Sequence, residues 1–503
     1  MKILFSPCHY IFAPNSGSES SWSYEIASRI CIKYPESVVI TGFQNSGLAK
    51  NEKTEFQNSQ NYQNLNQNYR IIELQPDKKV VDMTLKNALV FNWQYFVKTR
   101  ELLQLEKTLD NSEEIEKSQR NSQNIIQNQS KNSTPKTISE SQINFNINPN
   151  SQIQIIHHCL PFAIGSTYNL AALLGYFGDK KFVIGPLQTG LSYKDIDIDP
   201  SNFRSSVSKK KFNLQSLLTG FINILAQILR PILSFLSHKT LLKADKIIVI
   251  NQATKNLLLD QKIPENKIQI IPPGLDLAKF QFLPKNITQN EHQNEVFEIV
   301  SVGYLLQRKG IDLLIEGIKQ LKTELEIETE NKKQSQIENQ TEPNLEKIRR
   351  TFTKIHLNIL GDGPQIENLK KLVLDYKLEE NVTFVGFVDN SKISQFYQKA
   401  DVFVSMSRAE SWGQMYLEAM ACGVPIITTE NVGSNEIIEN GKTGITVPQE
   451  SVDLLVQSLK FFIQNPAKKL EIAQNARKKL EEKYDWNKII DEYEKTYQEL
   501  LKT

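Results

Sequence analysis

The stretch Ser405-Met-Ser-Arg-Ala-Glu410-Ser411-Trp412-Gly413-Gln414-Met415-Tyr-Leu-Glu418-Ala-Met-Ala-Cys422-Gly423-Val-Pro425 decides how the chain folds. The apolar run ahead of it, Asp401-Val-Phe-Val404, reads as a buried parallel strand. A polar loop follows, and then a helix that opens near Gly413 or Gln414 and stops at Gly423-Val-Pro425. Two carboxylates, Glu410 and Glu418, are thereby held apart, one at the mouth of the loop and one about a turn inside the helix. The first free N–H groups of such a helix suit an anion such as a diphosphate. A carboxylate has two acceptor oxygens, so Glu418 is able to grip both hydroxyls of a ribose while Glu410 faces what lies beyond the phosphates. The same spacing also fits an ordinary strand–loop–helix unit whose glutamates are merely solvated.

Outward from this segment, short β-rich apolar runs alternate with helical patterns, as in βαβ units. Strand candidates in the first half are Lys2–Phe5, Val38–Thr41, Arg70–Leu74, Ile153–His157, Phe182–Ile184, Lys246–Ile250 and Ile268–Ile271. In the second half they are Phe297–Val302, His356–Leu360, Val382–Val385, Asp401–Val404, Pro425–Thr428 and Thr446–Val447. Two successive doubly wound α/β domains satisfy this pattern, with ligands at the carboxyl ends of the strands in the cleft between them. The expected bounds are 1–272 and 273–484, joined at Pro272-Pro273-Gly274-Leu275-Asp276, whose prolines break any regular element. A terminal helix over 485–503 begins with an Asp485 cap and carries an apolar stripe. Four stretches rich in Asn, Gln, Ser and Lys, about 51–68, 110–152, 284–295 and 323–350, have too little apolar surface to offset their ordering entropy. They are expected to be disordered polar insertions.

The 503 residues suffice for two domains plus insertions, and a net charge of +2 argues against a nucleic-acid partner. Cys8, Cys31, Cys159 and Cys422 are scattered without metal-ligand spacing and read as reduced thiols. Met1-Lys-Ile-Leu-Phe5 is too short for a signal peptide and reads as the first core strand, so a cytoplasmic location is expected. Leu214–Leu236 is strongly apolar behind Lys209-Lys210-Lys211, but Gln215, Gln227, Arg230 and Pro231 argue against a membrane span. A core or interdomain helix and a peripheral membrane contact through 209–236 both remain open.

The Glu410 to Glu418 segment closely resembles the Glu-x7-Glu motif of family 4 glycosyltransferases, retaining enzymes of the GT-B fold, in which two Rossmann-like domains face a cleft. Several further segments carry the resemblance. Gly303-Tyr304-Leu-Leu-Gln-Arg308-Lys309-Gly310 resembles the Gly-Arg-Leu…Lys-Gly motif whose cations bind donor phosphates. Lys309 matches the Lys, whereas Tyr304 stands where the family has Arg, leaving Arg308 as the second cation. Gly361-Asp362-Gly363-Pro364 lies beside the donor in the family, and the loop Gly386-Phe387-Val388 packs on the base there. Asn431-Val432-Gly433-Ser434-Asn435-Glu436 resembles the family's Gly-Gly-x-x-Glu segment.

In the first half, Pro14-Asn15-Ser16-Gly17-Ser18-Glu19 and Gly185-Pro186-Leu187-Gln188-Thr189-Gly190 resemble a Gly-Ser-Glu and Gly-Pro subset of the family. Taken without the resemblance, the Gly17-Ser18 segment also reads as a simple capped helix start. His157-His158 ends a strand, where relatives place a His near the transferred sugar, although a strand-end His is as often structural.

The resemblance implies a retaining transfer from a UDP- or GDP-sugar to a hydroxyl of a glycan or lipid-linked acceptor, as in the synthesis of cell-surface polysaccharides. It implies Glu410, His157 and His158 as the catalytic set, and Gly17, Ser18, Arg308, Lys309, Gly361, Val388, Ser411, Gly413, Gln414, Met415 and Glu418 as donor contacts. It implies no cofactor and no metal. The alternatives are another GT-B reaction such as nucleotide-sugar epimerisation or phosphorolysis, or a degenerate sugar-nucleotide-binding protein.

Overall fold

Apolar runs too short for helices and buried on both faces have one stable arrangement, a parallel sheet covered by helices on each side. The computed structural model describes residues 1–8, 18–41, 70–73, 95–104, 152–159, 169–189, 231–283, 296–338 and 354–503, and it holds two such sheets. The first contains β1 (Ile3–Cys8), β2 (Val38–Thr41), β3 (Arg70–Glu73), β4 (Ile155–Cys159), β5 (Lys181–Leu187), β6 (Lys246–Val249) and β7 (Ile268–Ile270). Its order is β3-β2-β1-β4-β5-β6-β7. The second contains β8 (Val296–Val302), β9 (Lys354–Leu360), β10 (Val382–Gly386), β11 (Val402–Ser405), β12 (Ile426–Thr429) and β13 (Ile445–Val447). Its order is β10-β9-β8-β11-β12-β13. Every strand candidate of the sequence coincides with an observed strand, with ends displaced by a few residues at most.

Strand order reverses between β1 and β4 in the first sheet and between β8 and β11 in the second. The helices that follow β8 and β11, Ile311–Glu338 and Gln414–Cys422, pack on opposite faces of the second sheet, which makes the crevice at its carboxyl edge between them the place for a ligand. The helix Gln414–Cys422 that follows β11 is buried almost all round, which explains its weakly amphipathic sequence. Gly423, left-handed at φ 78°, ends it.

The two halves are tied at the hinge and by the last helix, Trp486–Lys502. Leu275 N donates to the Tyr484 carbonyl at 2.8 Å, and a side chain on Gly274 would collide with Ile489 and the Tyr484 carbonyl. Asp485 caps the helix by accepting from Asn487 N at 2.9 Å. Its apolar face buries Ile489, Ile490, Tyr493 and Tyr497 against the first domain. Lys33 of the helix Ser18–Lys33 reaches Asp491 at 2.8 Å and Glu494 at 2.7 Å. Those exposed pairs set register more than stability; the buried aromatics hold the helix.

One expected insertion is corrected. Residues 323–338 do not form a disordered loop but prolong the helix Ile311–Glu338. Glu, Lys and Gln are good helix formers, and Lys460 of the neighbouring helix Val452–Gln464 pairs with Glu324 at 2.9 Å and Glu328 at 2.6 Å. Low apolar content was thus compensated by propensity and by docking to that helix. The stretches 51–68, 110–151 and 284–295, the remaining 339–350 of the fourth expected insertion, and residues 209–230 lie outside the described residues. Among the described residues no helix is long and apolar enough to cross a membrane.

Candidate functional site

The crevice between β8 and β11 collects the charged residues. After β8 a short turn, Gln307–Lys309, ends at Gly310, left-handed at φ 62°. A Cβ there would strike the Met406 main chain just beyond β11, so only glycine lets the two loops run side by side. Arg408 N donates to the Arg308 carbonyl at 2.7 Å, and Arg308 Nη1 donates to the Ala409 carbonyl at 2.9 Å. This contact delivers Lys309 Nζ onto Glu410 Oε2, with Arg308 Nη1 at 3.8 Å from the same oxygen. Lys309 and Glu410 are each only 12% exposed, so the pair is poorly screened. The Glu410 carbonyl in turn accepts from Gly433 N at 2.9 Å, which ties the loop to the helix Val432–Ile437.

Glu418, part-buried on the helix Gln414–Cys422, accepts from the Tyr397 hydroxyl at 3.0 Å. Desolvation pushes its carboxyl up to about 7 against the opposing pull of that hydrogen bond. Gly303, Gly361, Gly363 and Gly386, all at positive φ, line neighbouring strand ends. Gly361 N donates to the Gly386 carbonyl at 2.8 Å and Leu305 N to the Asp362 carbonyl at 2.8 Å. A Cβ at Gly361 or Gly363 would hit the loop after β8, so these loops form a floor of bare backbone. Val388, part-buried, continues it beyond the exposed Phe387.

The structure brings Arg308, Lys309, Glu410, Gly361, Val388 and Glu418 to the carboxyl edge of the second sheet. Other expected donor contacts are engaged elsewhere. Ser411 Oγ donates to Gln188 Oε1 at 3.1 Å, and the Ser411 carbonyl accepts from Asn251 Nδ2 at 3.0 Å. Gln414 Oε1 accepts from the Trp22 indole at 3.2 Å while its Nε2 donates to the Gly274 carbonyl at 3.1 Å. The side chains of Ser411 and Gln414 thus fasten the loop to the first domain and the hinge. Gly413, left-handed at φ 89°, leaves room for the Tyr416 ring, and Met415 is buried. Gly17 lies outside the described residues, and Ser18 opens the helix Ser18–Lys33.

His157 and His158 depart from the expectation. Both are fully buried, on opposite faces of β4. His157 Nε2 donates to the Gly185 carbonyl at 3.0 Å and its Nδ1 accepts from the Tyr497 hydroxyl at 2.7 Å, among Phe5, Tyr493 and Tyr497. His158 Nδ1 meets Asn169 Nδ2 at 3.3 Å, and its Nε2 has no partner among the described residues. These are packing histidines: the terminal helix covers the first, and Asn169, which caps the helix Leu170–Leu173, meets the second. For His157 the sequence could not signal this, because Tyr497 lies 340 residues away in the chain.

Burial lowers the pKa of both rings to about 3 from 6.5. Between those values the folded chain holds fewer protons than the unfolded one, so stability falls as pH drops through 6.5. Each ring adds up to about 1.4 kcal/mol per pH unit. His158→Leu is expected to flatten this slope, read as the urea midpoint at pH 7.5 and pH 5. An unchanged slope would mean that His158 is not held neutral.

Arg408 is the residue that sequence reading missed. Its guanidinium spans the turn Gln307–Lys309, Asp312 and Glu450, and its position two residues ahead of Glu410 was the available signal. Among the described residues no group of three His, Cys, Asp or Glu side chains is placed to hold a metal ion.

Set against known proteins, residues 284–479 match the model of the group 1 glycosyl transferases. An uncharacterized glycosyltransferase of Methanocaldococcus jannaschii is 25% identical over 260 residues, 52% of this chain and 59% of that protein. The GDP-mannose-dependent alpha-(1-6)-phosphatidylinositol monomannoside mannosyltransferase of Mycobacterium tuberculosis is 24% identical over 255 residues, 49% of this chain and 59% of that one. The chain thus covers less than two-thirds of the length of these relatives. Among solved structures, Anabaena HepE in complex with UDP-glucose aligns with TM-score 0.56 at 16% identity, covering 99% of this chain and all of that one. The sucrose-phosphate synthase of Thermosynechococcus elongatus aligns with TM-score 0.56 at 15% identity, covering 99% and 98%. The fold is GT-B. Its second domain carries the group 1 glycosyl transferase match, and the charged crevice described above lies within that match.

Proposed function

We propose that this protein is a retaining glycosyltransferase, moving a sugar from a UDP- or GDP-linked donor to a hydroxyl of a glycan or lipid-linked acceptor. The observation that carries this reading is the convergence of Lys309 and Arg308 on Glu410 at the switch point of the second sheet, beside the helix that bears Glu418. Two cations in a poorly screened crevice stabilise a departing diphosphate, often the largest contribution to such a transfer. The acceptor oxygen bonds to the anomeric carbon as the carbon–phosphate oxygen bond breaks, and its proton passes to the leaving phosphate. Both events take place on one face of the sugar, so configuration is kept. Glu410 holds sugar hydroxyls and is not the nucleophile; Glu418 holds the ribose. No metal and no cofactor take part.

In this reading residues 1–272 receive the acceptor, 273–484 bind the donor, and 485–503 tie the two together. The enzyme works at the cytoplasmic side, in contact with anionic lipid through 209–236. Ile232 and Phe235, 52% and 58% exposed, with Lys239 over the Phe235 ring, support that contact. The mannosyltransferase relative acts with GDP-mannose and HepE was solved with UDP-glucose, which supports the donor class.

A thermal-shift panel of UDP, GDP, ADP and their sugar conjugates tests the reading. Saturation at ~100 times the dissociation constant adds about 2.7 kcal/mol; no shift with any of them sinks it. Proton NMR of the product then gives the anomeric configuration. Tyr304 in place of the usual Arg favours a second reading, a nucleotide-sugar-binding protein without turnover. Glu410→Ala separates the two, since it abolishes the function of an enzyme only.

Glu418 adds a pH signature. Only its carboxylate accepts from both ribose hydroxyls, and with a pKa of about 7 that form grows as pH rises through 7. Nucleoside diphosphate affinity is expected to rise by several-fold from pH 6 to pH 8, and Glu418→Gln to flatten the profile. Stability runs the other way, because the folded carboxyl holds its proton above 4.5, where the unfolded one has lost it.

A further inference from the structure

Arg408 makes an unusual set of contacts for a side chain that sequence reading passes over. All five of its guanidinium N–H groups are engaged. Nη1 donates to the Gln307 carbonyl at 2.6 Å and Asp312 Oδ1 at 2.9 Å. Nη2 donates to Asp312 Oδ2 at 2.8 Å and Glu450 Oε2 at 3.2 Å, and Nε donates to Glu450 Oε1 at 2.6 Å. With every donor used, the side chain has none left for a ligand. Its main chain joins the same junction: Arg408 N donates to the Arg308 carbonyl at 2.7 Å, and Gln449 Nε2 donates to the Arg408 and Glu430 carbonyls at 2.8 and 3.0 Å.

Glu450 holds its end of the clasp from a left-handed backbone, φ 59°, which a glutamate rarely adopts. Such strain persists where surrounding contacts require it. Here it aims the carboxylate at Arg408. Three separate segments, at 307–312, 408–410 and 449–450, are thereby drawn to one point next to the Lys309–Glu410 pair.

We propose that Arg408 is a positioning residue of the donor site: it fixes the turn bearing Arg308 and Lys309 against the loop bearing Glu410. It sets the distance between the phosphate cations and the sugar-facing carboxylate, and it rests on the donor reading above. A displacement of about 1 Å between such groups costs about 100-fold in rate. Lysine, with three donors on a flexible stem, cannot reproduce two bidentate pairs at once.

The test compares Arg408→Lys and Glu450→Gly with wild type, using whichever UDP- or GDP-sugar the wild type turns over. Arg408→Lys is expected to lower kcat by about 10- to 100-fold, with a much smaller change in the dissociation constant of the free nucleoside diphosphate. Glu450→Gly relaxes the left-handed backbone while loosening the clasp, so its Tm should hold or rise while kcat falls. That split cannot come from a merely structural salt bridge, where activity follows the folded fraction. Unchanged kcat in Arg408→Lys, or full kcat in Glu450→Gly, overturns the proposal while the donor reading stands. A wild type that turns over no nucleotide-sugar removes the donor reading and this proposal together.

Discussion

Lys309→Ala is expected to lower kcat/KM for sugar transfer by about 100- to 1,000-fold, the usual cost of deleting one preorganised group that faces developing charge. Lys309 has two partners in sequence over the reaction. In the free protein it neutralises Glu410, with Arg308 3.8 Å from the same carboxylate. With donor bound in the proposed way, the departing diphosphate competes for the same ammonium. The substitution therefore removes transition-state stabilisation and also leaves a carboxylate that is 12% exposed with a weaker partner. The two effects separate in a double variant. Lys309→Ala with Glu410→Gln is expected to recover the lost Tm, because the unpaired charge is gone, and none of the lost rate. A Lys309→Ala protein with wild-type kcat/KM would show that the diphosphate does not sit in this crevice.

Gly310→Ala is expected to destabilise the second domain by about 2–4 kcal/mol, combining left-handed backbone strain with an overpacked contact. The residue sits at φ 62°, and a Cβ would fall on the Met406 carbonyl, 2.7 Å from its carbon. Met406 is fully buried just past β11 and has nowhere to move. Relief requires the turn Gln307–Lys309 to lift from the loop, carrying Lys309 off Glu410. Activity should fall beyond what the folded fraction explains. Gly441→Ala is the control: its φ is 74°, but nothing lies within 4 Å of its Cβ. It should cost about 1 kcal/mol, the backbone strain alone. Equal effects in urea denaturation at the two sites would mean that the close approach of the loops is not real.

The site was partly legible before any coordinates. Lys309, Glu410 and Glu418 stand in local patterns, each set by a strand end followed by a turn or helix, and a motif of that kind survives in one dimension. The side-chain partners of Gln414 and Ser411, namely Trp22, Gly274 and Gln188, were not legible because they are distant in sequence. His157 was misread for the same reason, since Tyr497 arrives from the other end of the chain. The helix over 323–338 was missed because composition measures apolar content, whereas Lys460 supplies the docking.

What this sequence determined by itself is the set of elements and their order: thirteen apolar runs, the breakers between them, and glycines at most of the described left-handed turns. Those are local properties, fixed by side-chain periodicity and backbone sterics over a few residues. Tertiary structure alone decided which polar groups meet. Arg408 becomes a five-bond junction, and His157 a buried neutral base, because sheet order and the returning terminal helix bring remote segments within hydrogen-bond distance. Hydrogen bonds and desolvation act over a few ångströms of space regardless of separation along the chain.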